Sequence, residues 1–193
     1  MTKVPAFIAL LALAACGQPA SPTSEPAPAE HAAAPAAAGE SCQAQATRTW
    51  NAGGAAYRVE ASANGATCQA AQATLVLRAP DARVLYTASF PTAQIPLAFN
   101  PNGDEATLNS DLNAWIDNVA PGATADALPA WPTGAQRPPG FTAQTPRATY
   151  ENARATRQPI YCFPDGGESN ACVAVDSAGG TAVLLGSITP ERP

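Results

Sequence analysis

The chain has 193 residues, a formal net charge of −5 and few charged side chains, 13% of the total. Lys3 is its only lysine, and no basic stretch follows it. That excludes a nucleic-acid partner and an electrostatic grip on anionic lipid headgroups, both of which need clustered cations.

Met1 to Lys3 carry the only early positive charges, and Val4 to Ala15 is an uninterrupted apolar run. It is shorter than the roughly 20 residues that cross a bilayer and matches the apolar part of an export signal. The run ends in Leu13-Ala14-Ala15-Cys16-Gly17: a branched apolar residue, two small ones, then a cysteine. This segment resembles the lipobox of bacterial lipoproteins, and the resemblance covers these residues alone. It implies that residues 1–15 are a signal peptide cut before Cys16. The Cys16 thiol then takes a diacylglyceryl group and its freed amine a fatty acyl chain such as palmitate. Several acyl chains anchor stably, at about 0.8 kcal/mol per buried methylene. Lipoproteins of this kind often carry aspartate after the cysteine when they stay in the inner membrane. Gly17 therefore implies the outer membrane of the cell envelope, with the protein on its periplasmic side.

Residues 16–40 are the lipidated cysteine and an Ala/Pro-rich stretch without a large apolar side chain. Such a segment buries no core and is expected to be a tether. Residues 41–193 have the length of one ordinary domain. Four cysteines remain there, Cys42, Cys68, Cys162 and Cys172. An even number in an exported chain implies two disulfides. Of the three pairings, Cys42–Cys68 with Cys162–Cys172 is preferred, because Cys162 and Cys172 flank a turn-rich stretch that would fold as a hairpin. The only histidine, His31, lies in the tether, and no CxxC pair exists. Neither a metal site, a redox centre nor a cofactor is expected.

Ala44–Trp50 and Ala56–Ala63 read as strands, with Tyr57, Val59 and Ala61 alternating with polar neighbours. Asn51-Ala52-Gly53-Gly54 supplies their turn. Thr74–Ala79 and Arg83–Phe90 form a second pair around Pro80-Asp81. Ile95–Phe99 is expected as a short edge strand, since Pro96 cannot donate to a ladder. Glu105–Val119 is the clearest helix: Leu108, Leu112, Trp115, Ile116 and Val119 share a face, and Asp104 is its N-cap. Residues 120–145 are a long proline-rich connection. Thr145 and Pro146 are expected as N-cap and first residue of a second helix reaching about Thr156. Ile160–Phe163, Ala171–Asp176 and Thr181–Thr189 read as strands. The fold class is α+β: a mostly antiparallel sheet of six or seven short strands and two helices, stapled by two disulfides.

No catalytic constellation is present. Nucleophile–histidine systems need a histidine the domain lacks, and there is no G-x-S-x-G, P-loop or H-E-x-x-H. Asp165-Gly166-Gly167-Glu168 and Asn100–Glu105 read as turns rather than as a carboxylate pair or a calcium loop. Two surfaces carry residue types that bind. Trp131, Arg137 and Phe141 belong to the pre-ordered proline-rich segment and are of the kinds enriched at interaction hot spots. Arg147, Arg154 and Arg157 form a row on the second helix that could meet an anionic envelope polymer, or be a solvated face with Glu151 paired to Arg154. The leading expectation is a non-enzymatic binding module for an envelope protein or a peptidoglycan component. The alternatives are a structural subunit of an envelope complex and, less favoured, an enzyme with an unfamiliar site.

Overall fold

The computed structural model describes residues 41–176 and 180–189. The signal segment, Cys16 and the tether lie outside the described residues. Eight strands form two antiparallel four-stranded sheets. In the first, β1 (Cys42–Ala52), β2 (Ala55–Gly65), β3 (Gln72–Arg78) and β4 (Val84–Pro91) are neighbours in chain order. Helix α1 (Glu105–Trp115) follows. Then come β5 (Phe141–Ala143), helix α2 (Arg147–Ala155), β6 (Ile160–Pro164), β7 (Asn170–Val175) and β8 (Ala182–Ile188). The second sheet is ordered β5-β8-β7-β6.

The first sheet follows from its alternation. Tyr57, Val59, Ala61 and Ala63 of β2 are buried, and Ala73, Leu75 and Leu77 of β3 continue the same face. The β1–β2 turn is made by Gly53 and Gly54, with φ of +58° and +80°. Two positive φ values in a two-residue loop match the right-handed twist of the flanking strands, which is why glycine occupies both places. In β1 the inward residues Ala44 and Ala46 are small, and α1 packs against this strand, with Leu108 and Leu112 buried in the same core. Asp104 caps α1 by accepting from the Thr107 N–H at 2.9 Å.

The second sheet is buried on both faces, which explains its nearly continuous apolar runs. Tyr161, Phe163, Ala171, Val173 and Val175 share a core with the first sheet and α1. Ile160, Cys162, Cys172, Ala174 and Leu185 pack on the opposite side with Tyr150 and Ala153 of α2. The described residues from 41 onward are therefore layered as first sheet, second sheet, then α2 with the proline-rich segment. Both disulfides pair as expected, Cys42 with Cys68 and Cys162 with Cys172. Cys162 and Cys172 stand directly opposite in the β6–β7 register.

Several local expectations are corrected. Ile95–Phe99 is no strand: it is a run of tight turns after a 3₁₀ turn at Thr92–Gln94, and Ile95 and Phe99 drop into the core from it. Helix α1 stops at Trp115 with Ile116 as its C-cap, so Val119 leaves the stripe and is half exposed. The Val119 N–H instead donates to the Cys162 carbonyl of β6. In α2 the N-cap is Pro146, not Thr145, and no side chain caps that end. Strand β5 was not foreseen within the proline-rich connection.

Candidate binding surface

The proline-rich segment runs along α2 in the opposite direction, and one face of the helix grips it. The Arg157 Nε meets Asp126 Oδ2 at 3.0 Å. Arg154 donates to the carbonyls of Leu128 and Asp126 at 3.1 and 3.2 Å. The Tyr150 hydroxyl donates to the Pro129 carbonyl at 2.7 Å. Arg147 reaches the Trp131 carbonyl at 3.4 Å, and its guanidinium lies 5.7 Å from the centre of the Trp131 ring. Arg157, just past the C-cap of α2, and helix residues 154, 150 and 147 thus meet loop residues 126, 128, 129 and 131 in order. The expected row of three arginines on the helix is thus two helical residues and one beyond its end. A loop poor in amide donors leaves its carbonyls unmatched, and guanidinium and phenol groups supply the missing donors.

The arginine row is therefore occupied. Arg154 spends its donors on the loop, so it is not an open anion site. The helical ion pair is Arg147–Glu151 at 2.8 Å, one turn apart, in place of the expected Glu151–Arg154 pair. Arg157 has φ of +52° and closes α2: its N–H bonds the Arg154 carbonyl and the Gln158 N–H the Ala153 carbonyl. This is a Schellman ending, usually given to glycine. Asp126 receives a hydrogen bond from Thr124 Oγ1 and the charge of Arg157, and together these hold its carboxyl below the ordinary value of 3.8. Burial pushes the Tyr150 phenol up to about 12, opposed by Arg154.

Of the aromatic candidates, Phe141 is only 2% exposed and packs 5.1 Å, ring to ring, from Tyr150. A side chain this buried pins the loop and offers nothing to a partner. Trp131 is half-buried, edge-on to Tyr150 at 5.6 Å, with its indole N–H on the Ala135 carbonyl. It too fixes the segment.

Beyond Trp131 the segment borders a cleft of about 600 Å³ lined by Pro132, Arg137, Pro138, Pro139, Phe141 and Thr189 among others. Arg137 differs from the other arginines. Arg48, Arg58, Arg78, Arg83, Arg147 and Arg157 each face a carboxylate within 4 Å, and Arg154 is committed to carbonyls. Among the described residues Arg137 is the arginine with no hydrogen bond or ion pair to the protein. Among the same residues, no three His, Cys, Asp or Glu side chains gather to hold a metal ion. No helix there is long and apolar enough to cross a membrane.

No family of known proteins, no curated protein and no solved structure matches this chain.

What sequence reasoning missed here is the role of Asp126, of the Tyr150 hydroxyl and of the loop carbonyls. The spacing 147, 150, 154 does mark one helix face, with Arg157 beyond its end. Its partners are backbone groups, which leave no mark in a sequence.

Proposed function

We propose that the protein is a lipid-anchored, non-enzymatic binding module of the bacterial envelope, and that the cleft beside Arg137 is its binding surface. The observation that carries this reading is the grip of α2 on residues 126–131. It holds in one shape the segment that leads into the cleft's proline-rich lining, and a border already ordered loses little entropy on binding. The lipobox-like residues Leu13 to Cys16 support the anchor, and Gly17 supports the outer membrane. A tether of about 24 residues reaches at most roughly 75 Å in the extended proline-rich limit, enough for the domain to work away from the lipid surface.

Two measurements test this reading. Fractionation of cells carrying the full chain should place it in the outer membrane, and Cys16→Ser should release it to the soluble periplasm. A photo-crosslinking residue at Thr142, beside the cleft, should capture a partner that the same residue at Ser89, on the outer face of the first sheet, does not. A chain that stays in the membrane as Cys16→Ser contradicts the anchor. Equal capture from both positions contradicts the surface.

A further inference from the structure

Strand β5 is an edge strand, paired only with β8. Its backbone directions follow from two flanking bonds. The Thr189 N–H donates to the Gly140 carbonyl, and the Gln144 N–H to the Leu185 carbonyl. In an antiparallel ladder, alternate residues turn their polar groups to the partner, so Gly140, Thr142 and Gln144 face β8. Phe141 and Ala143 therefore face away from it. The Phe141 N–H is used within the chain, on the Pro138 carbonyl. The Phe141 carbonyl and both polar groups of Ala143 meet no protein partner among the described residues.

Four residues before β5 stands Arg137, the unpaired cation of the cleft. We infer that this edge takes the C-terminal segment of a protein partner as an added antiparallel strand, with its terminal α-carboxylate on Arg137. This inference rests on the cleft being the binding surface and names what it binds.

The geometry sets the details. A peptide antiparallel to β5 ends at the Arg137 side, where the carboxylate has to be. The added strand pairs along Phe141–Ala143, and its last residue lies beside the turn that carries Arg137. Strand addition supplies main-chain bonds, and the proline walls supply apolar contact. A guanidinium receives a carboxylate through two parallel charge-assisted hydrogen bonds. One cation at one end matches one terminal charge, and a polyanion would be repelled by a chain of net charge −5.

The test uses the full chain in detergent, with N-acetylpenta-alanine as free acid and as C-terminal amide. Nuclear magnetic resonance follows the Arg137 side chain and the Ala143 amide. The free acid should shift both and bind about tenfold or more tighter than the amide. Arg137→Gln, which removes a group with no protein partner and leaves the fold intact, should erase that difference. Equal binding of acid and amide at Ala143 overturns the carboxylate assignment while leaving the cleft a binding surface. Acetate shifting Arg137 as strongly as the peptide acid, with Ala143 unmoved by either, reduces the site to a simple anion contact and overturns strand addition. Tighter binding by a peptidoglycan stem peptide, with its D-residues, overturns the protein source. If no probe moves any cleft residue, both this inference and the binding surface fall.

Discussion

The Tyr150 hydroxyl donates to the Pro129 carbonyl over 2.7 Å, joining the middle of α2 to the connection between α1 and β5. Proline at 129 donates nothing, and its carbonyl finds its donor on the helix. Tyr150→Phe keeps the ring packing on Trp131 and Phe141 and removes only this bond. It should cost about 1 kcal/mol, read from denaturant unfolding, with an unchanged slope. A variant as stable as the parent would show the bond to be incidental.

Arg154 makes two bonds to the segment and Arg157 one exposed ion pair, so the two differ in weight. Arg154→Met should cost about 2 kcal/mol, because it strands the Leu128 and Asp126 carbonyls. Arg157→Ala loses a pair whose arginine side chain is 75% exposed, and should cost less than about 1 kcal/mol. Thermal unfolding of both variants decides, and equal losses would contradict the ordering.

All four tyrosines sit where burial raises the phenol above its ordinary 10.0. A raised value in the folded state means the stability contribution is complete below pH 10. It is lost as pH rises through the folded value, about 12 for Tyr150. Tyrosinate absorbance should therefore stay silent near pH 10 and appear together with alkaline unfolding. Asp126 works in the opposite sense. Its lowered value gives a contribution present above 3.8 and lost as pH falls through the folded value. Acid should thus loosen the Asp126–Arg157 end of the segment, and Asp126→Asn should remove that pH dependence. Tyrosines ionising near pH 10 in the intact fold would contradict the burial described above.

Gly186 lies at the irregularity between β7 and β8 with φ of +147°. A Cβ there would lie 2.2 Å from the Thr142 carbonyl oxygen and 2.7 Å from the Phe141 ring. Gly186→Ala should cost on the order of 3 kcal/mol or more and detach β5 first. The reverse change applies at Ala82, a non-glycine at φ of +67° in the β3–β4 turn, where Ala82→Gly should stabilise by about 0.5–1 kcal/mol. Calorimetry of the two variants checks both signs.

Much of this fold can be read from residue patterns. The alternation of Tyr57, Val59 and Ala61 gives β2 its buried face, and the stripe Leu108, Leu112, Trp115 gives α1 its own. Cys162 and Cys172 announce their hairpin because they flank Pro164-Asp165-Gly166-Gly167. Strand β5 is illegible for a physical reason. Three residues have no period, and Phe141–Ala143 becomes a strand only because β8 is there to pair with it. Ile95–Phe99 misleads in the other direction: apolar ends around Pro96 fit an edge strand, and equally two side chains dropping into a core from a turn. The arginines of α2 were visible as a row, but a row of cations looks the same whether it faces solvent, a polymer or the carbonyls of its own loop. Arg137 stood out only as a residue type, and its lack of a partner belongs to three dimensions.

Helix α2 and its C-terminal turn fix residues 126–131, and with them the border of the cleft that opens beyond Trp131, before a ligand comes. Backbone ¹⁵N order parameters of the full chain measure this directly. Values for Ala130, Trp131, Ala135 and Arg137 should lie close to those of β7 and β8, about 0.85, and fall in Arg154→Met while the first sheet is unchanged. Values below about 0.6 in the parent chain, unaltered by Arg154→Met, would contradict it.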